Sequence, residues 1–90
     1  MLNANRTTQF KRDLKLAEKR GRNLSKLRTL MGKLAKEEPL DPKFQDHKLG
    51  GDYIHHRECH VEPDWLLIYR IKNQDITYVR TGTHSDLFKK

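Results

Sequence analysis

The apolar residues of this chain change their period once, after residue 36, and that switch constrains the fold more than any other feature. Phe10, Leu14 and Ala17 fall at i, i+4 and i+7, one face of a helix over about Gln9–Arg20. Gly21 breaks it. Asn23 is a good N-cap for a second helix, which Leu24, Leu27, Met31 and Leu34 carry to about Lys36. Glu38-Pro39-Leu40-Asp41-Pro42 ends that helix, because each proline disfavours helix in the residue before it. Residues 39–52 read as a loop longer than a typical connection, and such loops often carry function. Strand-length segments follow: Tyr53–His60, Trp65–Ile71 and Ile76–Thr81. Between them lie the turns Glu62-Pro63-Asp64-Trp65 and Lys72-Asn73-Gln74-Asp75. A short first strand is expected around Asn5–Thr8 and a last helical turn over Ser85–Phe88. Two amphipathic helices thus form a hairpin laid on something flat, and three strands joined by short turns form an antiparallel meander. At 90 residues this is a single domain, 1–90.

The charge divides at the same place. Residues 1–36 hold eleven Lys/Arg against only Asp13 and Glu18, whereas residues 37–90 hold eight Lys/Arg against ten Asp/Glu. All five histidines lie after residue 46. The first part is built to hold a polyanion, and the second carries groups that titrate near neutral pH. The single cysteine, Cys59, excludes an internal disulfide and fits a reducing, cytoplasmic setting. The N-terminus lacks the apolar stretch of a signal peptide, and the longest apolar run, Trp65–Tyr69, is strand length, so no membrane partner is expected.

The meander brings distant polar residues together. His60 ends the first of the three strands, Asp64 lies just past the turn, and the third strand returns to that end carrying Arg80 and then His84. With four-residue turns, His60 sits opposite Leu67 and Leu67 opposite Arg80, which places His60 and Arg80 on one face about 10 Å apart, room for a phosphate. A one-residue slip would separate them. Each residue also has a plainer reading: Arg80 as a surface ion pair, Asp64 as a turn former, His60 as a strand-end residue, His84 as a helix cap. It is the convergence of all four that points to a site. His55 and His56 read as solvated strand residues. Cys59 falls on the face opposite His60, a small packed side chain and not a nucleophile. No second Cys/His pair has zinc-site spacing, so neither a metal nor another cofactor is expected.

His60-Val61-Glu62-Pro63-Asp64-Trp65-Leu66-Leu67-Ile68-Tyr69 and Arg80-Thr81-Gly82-Thr83-His84-Ser85-Asp86-Leu87-Phe88 closely resemble the YafQ branch of the RelE superfamily of type II toxins. The loop Phe44-Gln45-Asp46-His47-Lys48-Leu49-Gly50-Gly51 matches as well, and Asp13-Leu14-Lys15-Leu16-Ala17 is compatible. The resemblance covers essentially the whole chain. It implies an α+β, microbial-ribonuclease-like fold, two N-terminal helices packed on a twisted antiparallel sheet of about four strands. It implies a metal-independent endoribonuclease that cuts mRNA in the ribosomal A site and is restrained by a cognate antitoxin. Carried over motif by motif, the active-site positions fall on His47, His60, Asp64, Arg80, His84 and Phe88.

On that expectation the RNA supplies its own 2′-OH as nucleophile. His60 and His84 are the acid/base pair, in either order. Asp64 orients a histidine, Arg80 steadies the phosphorane charge, and His47 contacts phosphate or assists proton transfer. Phe88 either stacks on a base or seals the core. Lys11, Lys15, Lys19, Arg22 and Lys26 of the basic helices would hold mRNA and the rRNA of the 70S ribosome. Two other classes remain open: a non-catalytic basic RNA- or DNA-binding regulatory module, and a protein-interaction domain whose basic helices dock an acidic partner. RNA cleavage separates the enzyme from both.

Overall fold

The computed structural model describes residues 1–88. Strand β1 (Asn3–Arg6) leads into helix α1 (Thr8–Lys19) and helix α2 (Leu24–Ala35). After a 3-10 turn at Pro42–Phe44 comes the short strand β2 (His47–Lys48), then a second 3-10 turn at Gly51–Tyr53. Strands β3 (Arg57–Glu62), β4 (Trp65–Lys72) and β5 (Asp75–Gly82) form the meander, and helix α3 (His84–Phe88) closes it. The sheet order is β1-β5-β4-β3-β2. It has five strands where about four were expected, and it is mixed: β1 runs parallel to β5, the other pairs antiparallel.

The helices start where the sequence said they would. Thr7 caps α1, its Oγ1 accepting from the Phe10 N–H at 2.9 Å and donating to the Val79 carbonyl at 2.8 Å. That cap moves the first strand two residues earlier than expected, because Thr7 and Thr8 are taken up in starting the helix. Asn23 caps α2 through Ser25 N–H at 3.0 Å. The strand expected at Tyr53–His60 is Arg57–Glu62 instead. Tyr53 belongs to a 3-10 turn, and His55 sits in the left-handed region at φ 72°, so an extended chain cannot pass through it.

Trp65, Leu66, Leu67, Ile68 and Tyr69 are all at most 1% exposed, so both faces of β4 are covered. Trp65, Leu67 and Tyr69 join Cys59, Phe10, Leu27 and Tyr78 in the main core beneath the helices. Leu66 and Ile68 point the other way, into a smaller cluster with Leu87 that is flanked by Leu49, Tyr53, Val79 and Phe88. The second face therefore carries just enough apolar surface to dock α3 and the loop before β3. Buried polar groups are tied between strands and from sheet to helix: Trp65 Nε1 donates to Thr81 Oγ1 at 2.9 Å, and the Tyr78 hydroxyl donates to the Met31 carbonyl of α2 at 2.7 Å.

Register departs from the four-residue-turn expectation. Bulges interrupt β3–β4 between His60 and Glu62 and β4–β5 between Ile68 and Tyr69, so His60 pairs with Leu66 and Arg80 with Ile68. Leu66 and Ile68 are two residues apart and share a face, so His60 and Arg80 still do. Two strand spacings across and two residues along place their Cα atoms about 12 Å apart, against the expected 10 Å.

Candidate active site

His60, on β3, and His84, the first residue of α3, face each other at the open end of the meander, ring centroids 5.8 Å apart and nearly edge-on. His47, on β2, flanks His60 on the other side at 6.3 Å. The short strand β2 is what places His47 there: its pairing sets His47 opposite Glu58.

Each histidine has a carboxylate. Asp64 Oδ1 lies 2.6 Å from His84 Nδ1 and accepts the His84 backbone N–H at 3.0 Å. That backbone bond, and then the side-chain bond, hold Asp64 below the usual aspartate pKa. The turn residue thus fixes both the ring and the start of α3, leaving His84 Nε2 outward. Glu58 lies between the other two rings, its Oε2 at 3.3 Å from His47 Nε2 and 3.4 Å from His60 Nε2. Glu58 is only 4% exposed, and its Oε1 has no hydrogen-bond partner. A buried carboxylate oxygen without a partner is costly, and such a group calls for an explanation.

Arg80 is not free. Its Nε donates to Asp13 Oδ2 at 2.9 Å and its Nη2 to Asp13 Oδ1 at 3.2 Å, a fork-to-fork pair that raises the guanidinium pKa. Asp13 also accepts the Thr81 N–H at 3.2 Å. Beyond Tyr78, β5 has no β1 residue beside it, and α1 takes over that edge through Thr7 and Asp13. Phe88 lies 6.4 Å from the His84 ring and meets Tyr53 edge-on at 5.8 Å, half-buried against the smaller cluster. Tyr53 in turn meets His56 edge-on at 5.7 Å, and His55 stays exposed.

Helix α3 is clamped from below. Thr83 N–H donates to Asp86 Oδ2 at 2.9 Å, and Asp86 N–H donates to Thr83 Oγ1 at 3.1 Å, a reciprocal cap. Arg20 grips the same carboxylate at 2.6 and 3.2 Å, which lowers the Asp86 pKa well below the ordinary value. Gly82 makes room for this, since a Cβ there would lie 2.9 Å from Asp86 Oδ2.

Of the five basic residues expected to face RNA, Lys11, Lys15 and Lys19 form an exposed stripe on α1. Arg22 and Lys26 are partly engaged: both bind Glu62, at 3.3 and 3.0 Å, and the Arg22 guanidinium lies 5.3 Å from the Trp65 ring centroid. Cys59 is fully buried, and burial pushes its thiol up to about 12. Among the described residues no three His, Cys, Asp or Glu side chains are grouped to share one metal ion.

The strand topology brings His60, Asp64, Arg80 and His84 to this region and the family resemblance adds His47 and Phe88; neither assigned a site role to Glu58, Asp13 or Tyr53. Two of the three left a signal. Glu58 is two residues before His60 on one strand, so it shares its face. Asp13 joins Phe10, Leu14 and Ala17 at i+3 on the buried face of α1, an acid where an apolar residue belongs.

Histidines with carboxylate partners on an open sheet end, in a chain with a basic helical face, form an arrangement that can move protons beside a polyanion. The family described as "Bacterial toxin of type II toxin-antitoxin system, YafQ" matches residues 2–89. The mRNA interferase toxin YafQ of Escherichia coli (strain K12) is 43% identical over 81 residues, 89% of this chain and 88% of that protein. YafQ in the crystal structure of the E. coli DinJ–YafQ complex superposes with a TM-score of 0.91 at 39% identity, covering 98% of this chain and 99% of that one. A metal-bound toxin from Helicobacter pylori gives 0.91 at 44% identity, covering 98% and 100%. The chain belongs to the YafQ family of bacterial type II toxins.

Proposed function

We propose that this chain cleaves mRNA in the ribosomal A site by acid–base chemistry that uses the RNA 2′-OH as nucleophile and needs no metal. Its family is one of mRNA interferases, endoribonucleases, so the place of cutting and the chemistry are what this reading adds. The observation that carries it is the pair His60 and His84, 5.8 Å apart, each backed by a carboxylate. One ring takes the 2′-OH proton as the oxygen attacks phosphorus, and the other delivers a proton to the departing 5′-oxygen. The products are a 2′,3′-cyclic phosphate and a 5′-hydroxyl. Imidazole suits both transfers because its ordinary pKa lies near neutral pH. Asp64 holds His84 through Nδ1 and frees Nε2 for the substrate. Glu58 orients His60 and His47 through Oε2. Arg80, steered by Asp13, keeps donors for the developing phosphorane charge. Phe88 offers an aromatic edge for a base.

The partners follow from the same reading. The α1 stripe Lys11, Lys15 and Lys19, with Arg22 and Lys26, binds mRNA and rRNA of the 70S ribosome, and a cognate antitoxin covers the toxin, as the DinJ–YafQ toxin–antitoxin complex suggests. The action is cytoplasmic; among the described residues no helix is long and apolar enough to cross a membrane.

Inducing the wild-type chain and His84→Ala in bacteria, with primer extension to map mRNA 5′ ends, tests the reading. New in-frame ends and growth arrest with the wild type alone are expected. No new ends, with both proteins folded, would favour a basic RNA- or DNA-binding module without catalysis.

A further inference from the structure

A groove of about 630 Å³ opens between α2 and the turn at Pro42–Phe44, within the range of about 300–1,000 Å³ that small-ligand sites occupy. The chemistry proposed above does not use it. Its character is cationic and aromatic: Lys26 and Lys33 reach it from α2 and Lys43 from the turn. Phe44 packs against the main core, and Lys43 Nζ lies over its ring, 5.2 Å from the centroid. Glu62, the carboxylate in the lining, is already held by Arg22 at 3.3 Å and Lys26 at 3.0 Å. With Lys26 paired to Glu62, the ammonium groups of Lys33 and Lys43 are left to face the groove. Thr29 and Gln45 supply neutral hydrogen-bonding groups.

His60 joins this groove to the catalytic cluster. It lines the groove on one side and stands 5.8 Å from His84 on the other. A strand whose scissile phosphate sits between the two rings can run past His60 into the groove that His60 also lines. We propose that the α2–Phe44 groove is a nucleotide subsite that holds single-stranded RNA next to the cleaved bond, its phosphates on Lys33 and Lys43 and its polar edges toward Thr29 and Gln45. This rests on the ribonuclease reading and adds to it a second contact region for substrate. Repeated phosphates match the two ammonium groups of Lys33 and Lys43, and continuity with His60 favours RNA over a separate protein ligand.

The test is an NMR titration of the full, 15N-labelled chain with 2′-O-methyl RNA, whose blocked nucleophile prevents cleavage, as a dinucleotide and as a hexanucleotide. The dinucleotide is expected to shift amides around His60 and His84. The hexanucleotide is expected to shift Thr29, Phe44 and Gln45 as well and to bind at least about tenfold tighter. The double variant Lys33→Glu/Lys43→Glu should abolish those extra shifts and the extra affinity. Loss of two phosphate contacts should also flatten the salt dependence of log affinity by about 1.4. Both lysines are exposed and form no ion pair among the described residues, so the fold should survive. Hexanucleotide shifts confined to the histidine cluster would overturn the subsite and leave the ribonuclease reading intact. Equal weakening at both lengths would overturn it in favour of general attraction. Unchanged RNA binding with weakened binding of an acidic peptide would overturn it in favour of a protein ligand. Absence of any shift with either RNA would overturn the subsite and leave the ribosome-dependent cleavage reading, which primer extension tests, intact.

Discussion

Replacing Asp13 by Asn removes one charge from a pair that ties α1 to β5 across 67 positions of sequence, and its cost can be worked from the geometry. The carboxylate accepts four hydrogen bonds, from Arg80 Nε at 2.9 Å, Arg80 Nη2 at 3.2 Å, Thr81 N–H at 3.2 Å and Gln9 Nε2 at 3.1 Å. Breaking a fully buried pair costs about 3–5 kcal/mol. The Asp13 side chain is 7% exposed but that of Arg80 is 24% exposed, so water can recover part of the guanidinium; about 2–3 kcal/mol is the appropriate discount. For a chain of this size, roughly 4–8 °C per kcal/mol gives a fall in Tm of about 10–20 °C. Thermal unfolding followed by circular dichroism at pH 7 measures it. The pairing itself is isolated by the cycle with Arg80→Met: the double variant should be more stable than the two single losses predict, by at least about 1 kcal/mol. Cleavage by folded Asp13→Asn, assayed well below its Tm, should fall with the loss of Arg80's orientation. A Tm loss under about 2 °C, or single losses that simply add, would refute the idea that Asp13 holds Arg80.

Glu58→Gln keeps the shape between His47 and His60 and removes the charge; cleavage should drop about 10²–10⁴-fold, and a folded variant with wild-type turnover would remove Glu58 from the mechanism. Asp86 is held below its ordinary pKa by Arg20 and Thr83, so its contribution is present above pH 3.8 and lost as pH falls through the lower folded value. Tm measured from pH 5 down to pH 2 should therefore fall less steeply in Asp86→Asn than in the wild type, and parallel curves would contradict this. With its thiol buried and pushed up to about 12, Cys59 should resist a thiol reagent at pH 8 until the chain unfolds; modification of the native protein at the rate of a free thiol would show that it is accessible.

What could be read locally was read well. The spacing of Phe10, Leu14 and Ala17, the Asn23 cap and the Trp65–Tyr69 run encode their elements within a few residues, because helix and strand periods are properties of short segments. The convergence of His60, Asp64 and His84 was legible for a related reason: short turns oblige consecutive strands to return to the same end. Pairing in register was less accessible. Bulges at His60/Glu62 and Ile68/Tyr69 each insert a residue whose presence depends on how neighbouring strands twist and pack, and the two shifts only happen to keep His60 and Arg80 on one face.

The amino-acid order by itself determined the two helices, the meander, the split between a basic half and a histidine-bearing half, and the kinds of side chain gathered at the sheet end. Only the tertiary structure decided which partners those side chains have. Asp13 meets Arg80 and Arg20 meets Asp86 across 67 and 66 positions of sequence, Glu58 comes to lie between His47 and His60, and β1 pairs in parallel with β5. Such contacts form between groups far apart in the chain, and no local preference of either partner specifies them; they exist because burial of one shared core brings the elements together.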